Sequence, residues 1–330
     1  TKKFALARDG MRFVLKYLFD QNKLKLKIAI PSIFCWEITS SIKSNYTEIE
    51  WYDLNGELQF DIQQIENKKI DVLLVCDLFG IPNDLDSVRK MCRERKIVLF
   101  VDHSHCLQSS FKPGPNEFLF QSMYKHYPIS KGAYLTHFIN EELTNEYQKI
   151  IWESFFLSEI IWLFKSLVIN LIGPMRYLPN NYEETKISDS MDSKSYFEKA
   201  PSNCHHLVLD KKKDIVNIKN AYNFYEELFN MFSKRFEFQY INLKYRNSHL
   251  FGVEFTLLSE LNEVKNILMK LRLPVVMWPE KKYIKILPVK NRKLARSYVD
   301  KTLFVCSFYN SSMSYSRKKR ILESAKKLVT

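Results

Sequence analysis

The sequence predicts an α/β fold: a mostly parallel central sheet, followed by a smaller α+β C-terminal domain. Strand-like and helix-like runs alternate through roughly the first 140 residues, a rhythm that favours right-handed crossovers and parallel pairing. The run Ile97-Val-Leu-Phe-Val-Asp102 is apolar without alternation, as in a central strand buried on both faces. At 330 residues and 46% hydrophobic, the chain can bury a full core.

Each element follows from its local pattern. Apolar residues from Phe4 to Phe19 recur at helical spacing. Lys27–Pro31 reads as a strand stopped by proline, Cys35–Ile42 as a helix, and Ile49–Asp53 as a strand before an Asn55-Gly56 turn. A short helix is expected over Asp61–Glu66, an apolar strand over Asp71–Gly80 and a helix over Leu85–Lys96. Strands at Phe118–Tyr124 and Gly132–Phe138 follow. The polar stretch Asn180–Lys199 reads as a linker, and the domains are expected at 1–175 and 176–330. Beyond it come a helix from Lys213 to Phe232, a strand at Leu250–Phe255, a helix at Glu260–Leu271, a strand at Tyr283–Pro288 and a basic helix from Ser316 to Leu328.

Composition removes several functional classes. Only 7 glycines occur, where an average chain would hold roughly 23. No G-x-G-x-x-G or G-x-x-x-x-G-K-[ST] pattern is present, so dinucleotide and P-loop readings lose their basis. The six cysteines form no C-x-x-C pair, and none is spaced with histidines as ligands; no metal site is expected. They read as buried thiols in a reducing compartment, and no secretory signal is recognisable, so a cytoplasmic location is expected. Glu153, Glu159 and Lys165 interrupt the apolar segment 151–172. That segment is expected to pack or lie at a membrane surface rather than span one. A formal charge of +13 suits anionic partners. Its clusters, Lys211–Lys213, Arg292-Lys293 and Arg317–Arg320, are scattered; they read as solvated faces, and no nucleic acid is expected.

Ligands of parallel sheets bind beyond the carboxyl ends of the strands, and Asp102 lies at such an end. A buried carboxylate there requires a partner. It is open to two readings: a cap or ion pair, or the counter-charge to a cationic nitrogen on a bound ring. Lys125, in Ser122-Met-Tyr-Lys125, is either a snorkelling surface residue or a desolvated amine able to form a Schiff base. Ser122 could donate to a phosphate. His103, His105 and His126 flank these positions. Arg8-Asp9-Gly10 opens the first helix, where backbone amides take phosphate or Asp9 simply caps. Phe34 and Trp36 follow the first long strand and would serve as stacking rings or as core.

The ordered segments from about residue 5 to 140 resemble the DegT-like sugar aminotransferases, a family of fold-type I enzymes dependent on pyridoxal 5'-phosphate (PLP). The matching pieces are Ala7-Arg-Asp-Gly-Met11, Pro31-Ser-Ile-Phe-Cys-Trp36, Leu78-Phe79-Gly80, Val101-Asp-His-Ser-His105, and Ser122-Met-Tyr-Lys125 with Pro128-Ile-Ser-Lys-Gly-Ala133. The resemblance implies that Lys125 holds the cofactor covalently and shuttles protons, with His126 beside it. It implies that Asp102 meets the pyridine nitrogen and His105 the ring hydroxyl. Trp36 or Phe34 would stack on the ring, and Arg8, Gly10 and Ser122 would bind the phosphate. The implied activity is transamination of a nucleotide-linked keto sugar in surface polysaccharide biosynthesis, with glutamate as donor, in a homodimer. Two departures stand out. Ala7 replaces the usual glycine of the phosphate turn, and Tyr127 occupies the usual lysine position. They keep open a cofactor-free relative that binds a partner, and a sugar dehydratase with His126 as base.

Overall fold

Seven strands build one sheet, and their register aligns the ends that matter. The computed structural model describes residues 1–126, 131–149, 152–153, 197–198, 211–273, 275–276, 284, 287–306 and 313–329. The strands are β1 (Lys2–Phe4), β2 (Leu26–Pro31), β3 (Thr47–Tyr52), β4 (Val72–Cys76), β5 (Val98–Asp102), β6 (Glu117–Ser122) and β7 (Ala133–His137). Their order is β1-β7-β6-β5-β4-β2-β3. Strands β2 to β6 run parallel; β7 returns antiparallel to β6, and β1 antiparallel to β7. Every residue of β4 is buried, and all of β5 except Val98, as the unbroken apolar runs demand.

Among the described residues four α-helices accompany this sheet: α1 (Ala7–Asn22), α2 (Trp36–Ile42), α3 (Leu85–Glu94) and α4 (Glu141–Gln148). The sheet buries Met11, Val14 and Leu15 of α1. Gly10 lets that helix settle closely. A Cβ on it would meet Phe4 at 3.3 Å, Phe120 at 3.5 Å and Leu135 at 3.6 Å.

Two expectations are corrected here. Phe4 belongs to an edge strand rather than to the first helix, because Lys2–Phe4 has an open partner in β7. The apolar run from Asp71 stays a strand only to Cys76; Leu78–Gly80 is a tight turn, with Phe79 at φ 54° and Gly80 at φ 75°.

A second compact unit contains the described residues from 211 onward, whereas those up to 153, with 197–198, belong to the first. The expected domain boundary at 175/176 lies outside the described residues, as do most of the segment 151–172, the stretch Asn180–Lys199 and most of the strand expected at Tyr283–Pro288. The second unit has a four-stranded antiparallel sheet. Its strands are β8 (Phe238–Tyr240), β9 (Leu250–Phe255), β10 (Val275–Val276) and β11 (Thr302–Cys306) in the order β8-β9-β11-β10. Its helices among the described residues are α5 (Lys211–Phe232), α6 (Leu258–Lys270), α7 (Val289–Lys301) and α8 (Tyr315–Val329). Tyr222, Tyr225 and Phe229 of α5 pack their rings on Phe251 of β9.

One ion cluster ties α3 to the start of β6. Glu117 is 3% exposed and takes hydrogen bonds from Arg89, Arg93 and the Gly114 N–H. Burial pushes its carboxyl up, but the Arg89 and Gly114 bonds outweigh that and hold it below its ordinary value of 4.5. The stabilisation is therefore present above about pH 4.5 and is lost as pH falls through the lowered folded value. Glu117→Gln should cost about 3 kcal/mol at neutral pH, the lower end for breaking a buried pair, since Arg93 is largely exposed. Urea unfolding should register that deficit at pH 7 and a shrinking one below pH 4.5; an unchanged midpoint at pH 7 would refute it.

Candidate active site at the carboxyl edge of the sheet

Register alone gathers the candidate residues. Cys76, Asp102 and Phe120 are neighbours across β4, β5 and β6. Phe120 pairs with Leu135, Ser122 with Ala133, and Ala133 with Phe4. Ser122 and Phe4 thus end their strands at the same edge as Asp102. The chain turns from Phe4 into α1 there, anchored by Gly132 N–H to Ala5 O at 2.7 Å and Met123 N–H to Gly132 O at 2.8 Å. The order of connections reverses between β2 and β4, which makes the loops after those strands the expected crevice.

Asp102 is 2% exposed. One carboxylate oxygen accepts the Ser104 N–H at 2.8 Å. The other takes no hydrogen bond among the described residues. The Ser104 hydroxyl is also buried without a hydrogen-bond partner there. A charge and a hydroxyl left this way are expensive unless a ligand completes them.

Lys125 lies in the short helical turn Met123–Lys125 directly after β6. Burial pushes its ammonium down, yet its titratable neighbours Tyr124, Cys35, Asp102 and Cys76, largest first, carry the net shift upward. Burial pushes the Cys35 thiol up to about 12 and Cys76 well above its ordinary range. Both thiols are neutral at physiological pH, which leaves Asp102 as the carboxylate of this set. Its neighbour Cys76 shares its side of the sheet, as paired residues do.

Two buried histidines complete the edge. His105 Nδ1 accepts the Phe79 N–H at 3.2 Å. His126 Nε2 lies 3.2 Å from Ser104 O; a carbonyl only accepts, so Nε2 carries the proton. Burial, then Lys125, pushes His126 down to about 3 and His105 well below its ordinary value. Both are neutral imidazoles at physiological pH.

The remaining candidates divide. Arg8 is half-buried in the first turn of α1 and makes no ion pair or hydrogen bond among the described residues. Ser122 is buried at the end of β6. Trp36 begins α2 after β2. Three others have structural contacts of their own. Phe34 is 1% exposed and lies among the buried apolar residues after β2. Gly10 serves the packing of α1 on the sheet, because its missing Cβ points at Phe4, Phe120 and Leu135. His126, buried and tied to Ser104 O, clips the lysine turn to the loop after Asp102. Tyr127 lies outside the described residues.

Sequence reasoning missed a second buried polar cluster, one ladder step on. Asp77 accepts both the backbone N–H and the side-chain amide of Asn83. His103 Nε2 lies 3.1 Å from Asp77 Oδ2, though without hydrogen-bond alignment. The signal was available in the ladder: Asp77 and His103 each follow a member of the Cys76–Asp102 pair.

No protein-family model and no curated protein matches the sequence. Solved structures do match the fold. Helicobacter pylori PseC, an aminotransferase involved in the biosynthesis of pseudoaminic acid, superposes with a TM-score of 0.62 at 15% identity, covering 99% of this chain and 86% of its own. Spr1654 of Streptococcus pneumoniae, described as a sugar aminotransferase and solved in its PMP form, gives 0.66 at 13% identity, covering 99% and 87%. Escherichia coli GDP-4-keto-6-deoxy-D-mannose-3-dehydratase with bound hydrated PLP gives 0.62 at 14%, covering 98% and 87%. The fold is that of the fold-type I PLP aminotransferases, as the sequence predicts.

The depressed histidines have a thermodynamic consequence. The unfolded chain binds protons near the ordinary value of 6.5 that folded His126 refuses until about 3. Its contribution to stability is therefore whole above pH 6.5 and declines as pH falls toward 3, by up to about 1.4 kcal/mol per pH unit per group. The loss of stability from pH 7 to pH 5 should be smaller in His126→Asn than in the wild type. Equal losses in urea titrations would remove the assignment of a buried neutral ring.

Proposed function

We propose that this protein is a PLP-dependent enzyme of the sugar aminotransferase kind, acting on a nucleotide-linked keto sugar with glutamate as amino donor. The observation that carries the reading is the buried Asp102, with one oxygen unclaimed, in electrostatic reach of Lys125 at the carboxyl edge of a fold-type I sheet. The unpartnered Ser104 hydroxyl beside it suits the same reading, since both await a polar ligand.

The residues fit the cofactor group by group. Asp102 would hold the ring nitrogen protonated. Lys125 would carry the cofactor and move protons at its Nζ. His105 would meet the ring hydroxyl. Ser122, Arg8 and the amides at the start of α1 would take the phosphate, with Trp36 as the candidate for stacking. When bound, PLP supplies an electron sink for the amino-transfer chemistry.

This chain's own electrostatics support the roles. Asp102 favours a charged Lys125 while nothing else claims it. Once Asp102 is engaged by a cationic ring nitrogen, that support is withdrawn, and burial then favours the neutral, nucleophilic amine. The neutral His126 fixes the lysine turn against the Asp102 loop without competing for a proton. The surplus positive charge of the chain suits a diphosphate-bearing substrate. The reading places the protein among homodimeric cytoplasmic enzymes of surface polysaccharide biosynthesis.

The test is a titration of the purified protein with PLP, followed by visible absorbance. The wild type should gain a saturable band. Asp102→Asn should weaken the affinity by about 2–5 kcal/mol, the cost of removing one partner of a buried charge pair, or about 30-fold and more. Addition of glutamate and a nucleotide-linked 4-keto sugar should then release 2-oxoglutarate. No band with the wild type would overturn the cofactor assignment. A band without 2-oxoglutarate would overturn transamination and favour a dehydratase.

A further inference from the structure

His105 is held by an unusual donor. Its Nδ1 accepts the backbone N–H of Phe79 at 3.2 Å. An imidazole nitrogen that accepts carries no proton, so the neutral ring keeps its proton on Nε2. The donor residue is strained. Phe79 has φ 54° and ψ 23°, in the left-handed region that a bulky side chain rarely occupies. Such outliers persist only where the surroundings over-determine them. Here the Phe79 ring is fully buried and lies against the imidazole, with centroids 5.5 Å apart and planes at 31°. Gly80, at φ 75°, continues the same turn. One residue thus grips His105 through both backbone and ring. The charged and titratable groups facing His105 are Lys125 and His126, and both disfavour a second proton on it.

We propose that the left-handed turn at Phe79 locks His105 in its Nε2–H tautomer, a permanent hydrogen-bond donor to an acceptor oxygen on the ring bound beside Lys125. Phe79 is then a positioning residue acting through His105. The inference rests on the reading of this edge as a PLP site, whose ring oxygen is such an acceptor. It adds a selectivity: a ring that presents a donor at this position is refused, because His105 has no nitrogen left to accept it.

The experiment uses the full chain without cofactor, labelled with 15N-histidine and recorded by long-range proton–nitrogen correlation from about pH 5 to 8, the span in which ordinary histidines titrate. His105→Gln identifies the His105 signals among those of the seven histidines by their loss. The expected result is an unprotonated Nδ1 and a protonated Nε2 throughout. An Nδ1–H tautomer, or uptake of a second proton in that range, would overturn the lock. Phe79→Gly and Phe79→Ala then separate backbone from ring. Both lose the ring contact, but only glycine adopts the left-handed turn without strain. Phe79→Gly should keep the Nε2–H pattern, while Phe79→Ala shifts to a mixture; identical spectra for the two would overturn the part assigned to the turn. The tautomer is read without PLP, so its failure and a failure to bind PLP are separate results.

Discussion

A carboxylate held at the end of a strand buried on both faces is the constraint around which this protein is arranged. Asp102 has left water almost completely and receives a single backbone N–H in return. A charge in that position must be paired or it is expelled. Lys125 offers partial balance from the next strand end, and the neighbouring thiols do not compete because burial keeps them neutral. The arrangement is poised rather than closed: among the described residues one hydrogen bond reaches Asp102, and the Ser104 hydroxyl beside it has no partner.

The rest of the edge holds that poise in place. Asp77 N–H donates to Asp102 O at 3.2 Å, and His103 N–H to Phe120 O at 2.8 Å. These bonds carry the ladder one step past Asp102 on both sides. His126 ties the lysine turn to the same loop through Ser104 O. The strained Phe79 turn holds His105 from the adjacent strand end. Three consecutive parallel strands thus contribute one chemical group or one fastening each, and the register of the sheet sets their spacing. Unsatisfied polar atoms of the buried His103 and Ser104 lie here with the left-handed backbone of Phe79, whereas β4 behind them is wholly apolar.

Much of this was legible in the sequence because it depends on period and position. The unbroken run Ile97–Val101 places Asp102 at a buried strand end without any knowledge of partners. The joint order of Val101-Asp-His-Ser-His105 and Ser122-Met-Tyr-Lys125 places Lys125 near it. What failed to be legible depends on direction. Gly10 reads as a phosphate residue, but only the packing of α1 on Phe4, Phe120 and Leu135 explains why it lacks a side chain. Phe34 and Trp36 are equivalent as aromatic residues in a sequence, and the near-complete burial of Phe34 cannot be read from it. The Leu78–Gly80 turn reads as strand, since left-handed backbone at Phe79 has no signature in an apolar run. His126 reads as a residue beside the lysine, and its contact with the Ser104 carbonyl has no signature in the sequence. In the second unit, Thr302–Cys306 escaped notice although it pairs centrally with β9, because a five-residue apolar run after a helix has no periodicity of its own.

The central claim is that Asp102 and Lys125 face one bound ring. Reduction with borohydride in the presence of PLP, followed by peptide mass mapping, tests it most directly, because it reports which amine is joined to the cofactor. The account predicts a single phosphopyridoxyl adduct at Lys125, absent from Lys125→Ala and diminished in Asp102→Asn. An adduct spread over surface lysines, or one that survives Lys125→Ala at another position, would contradict it.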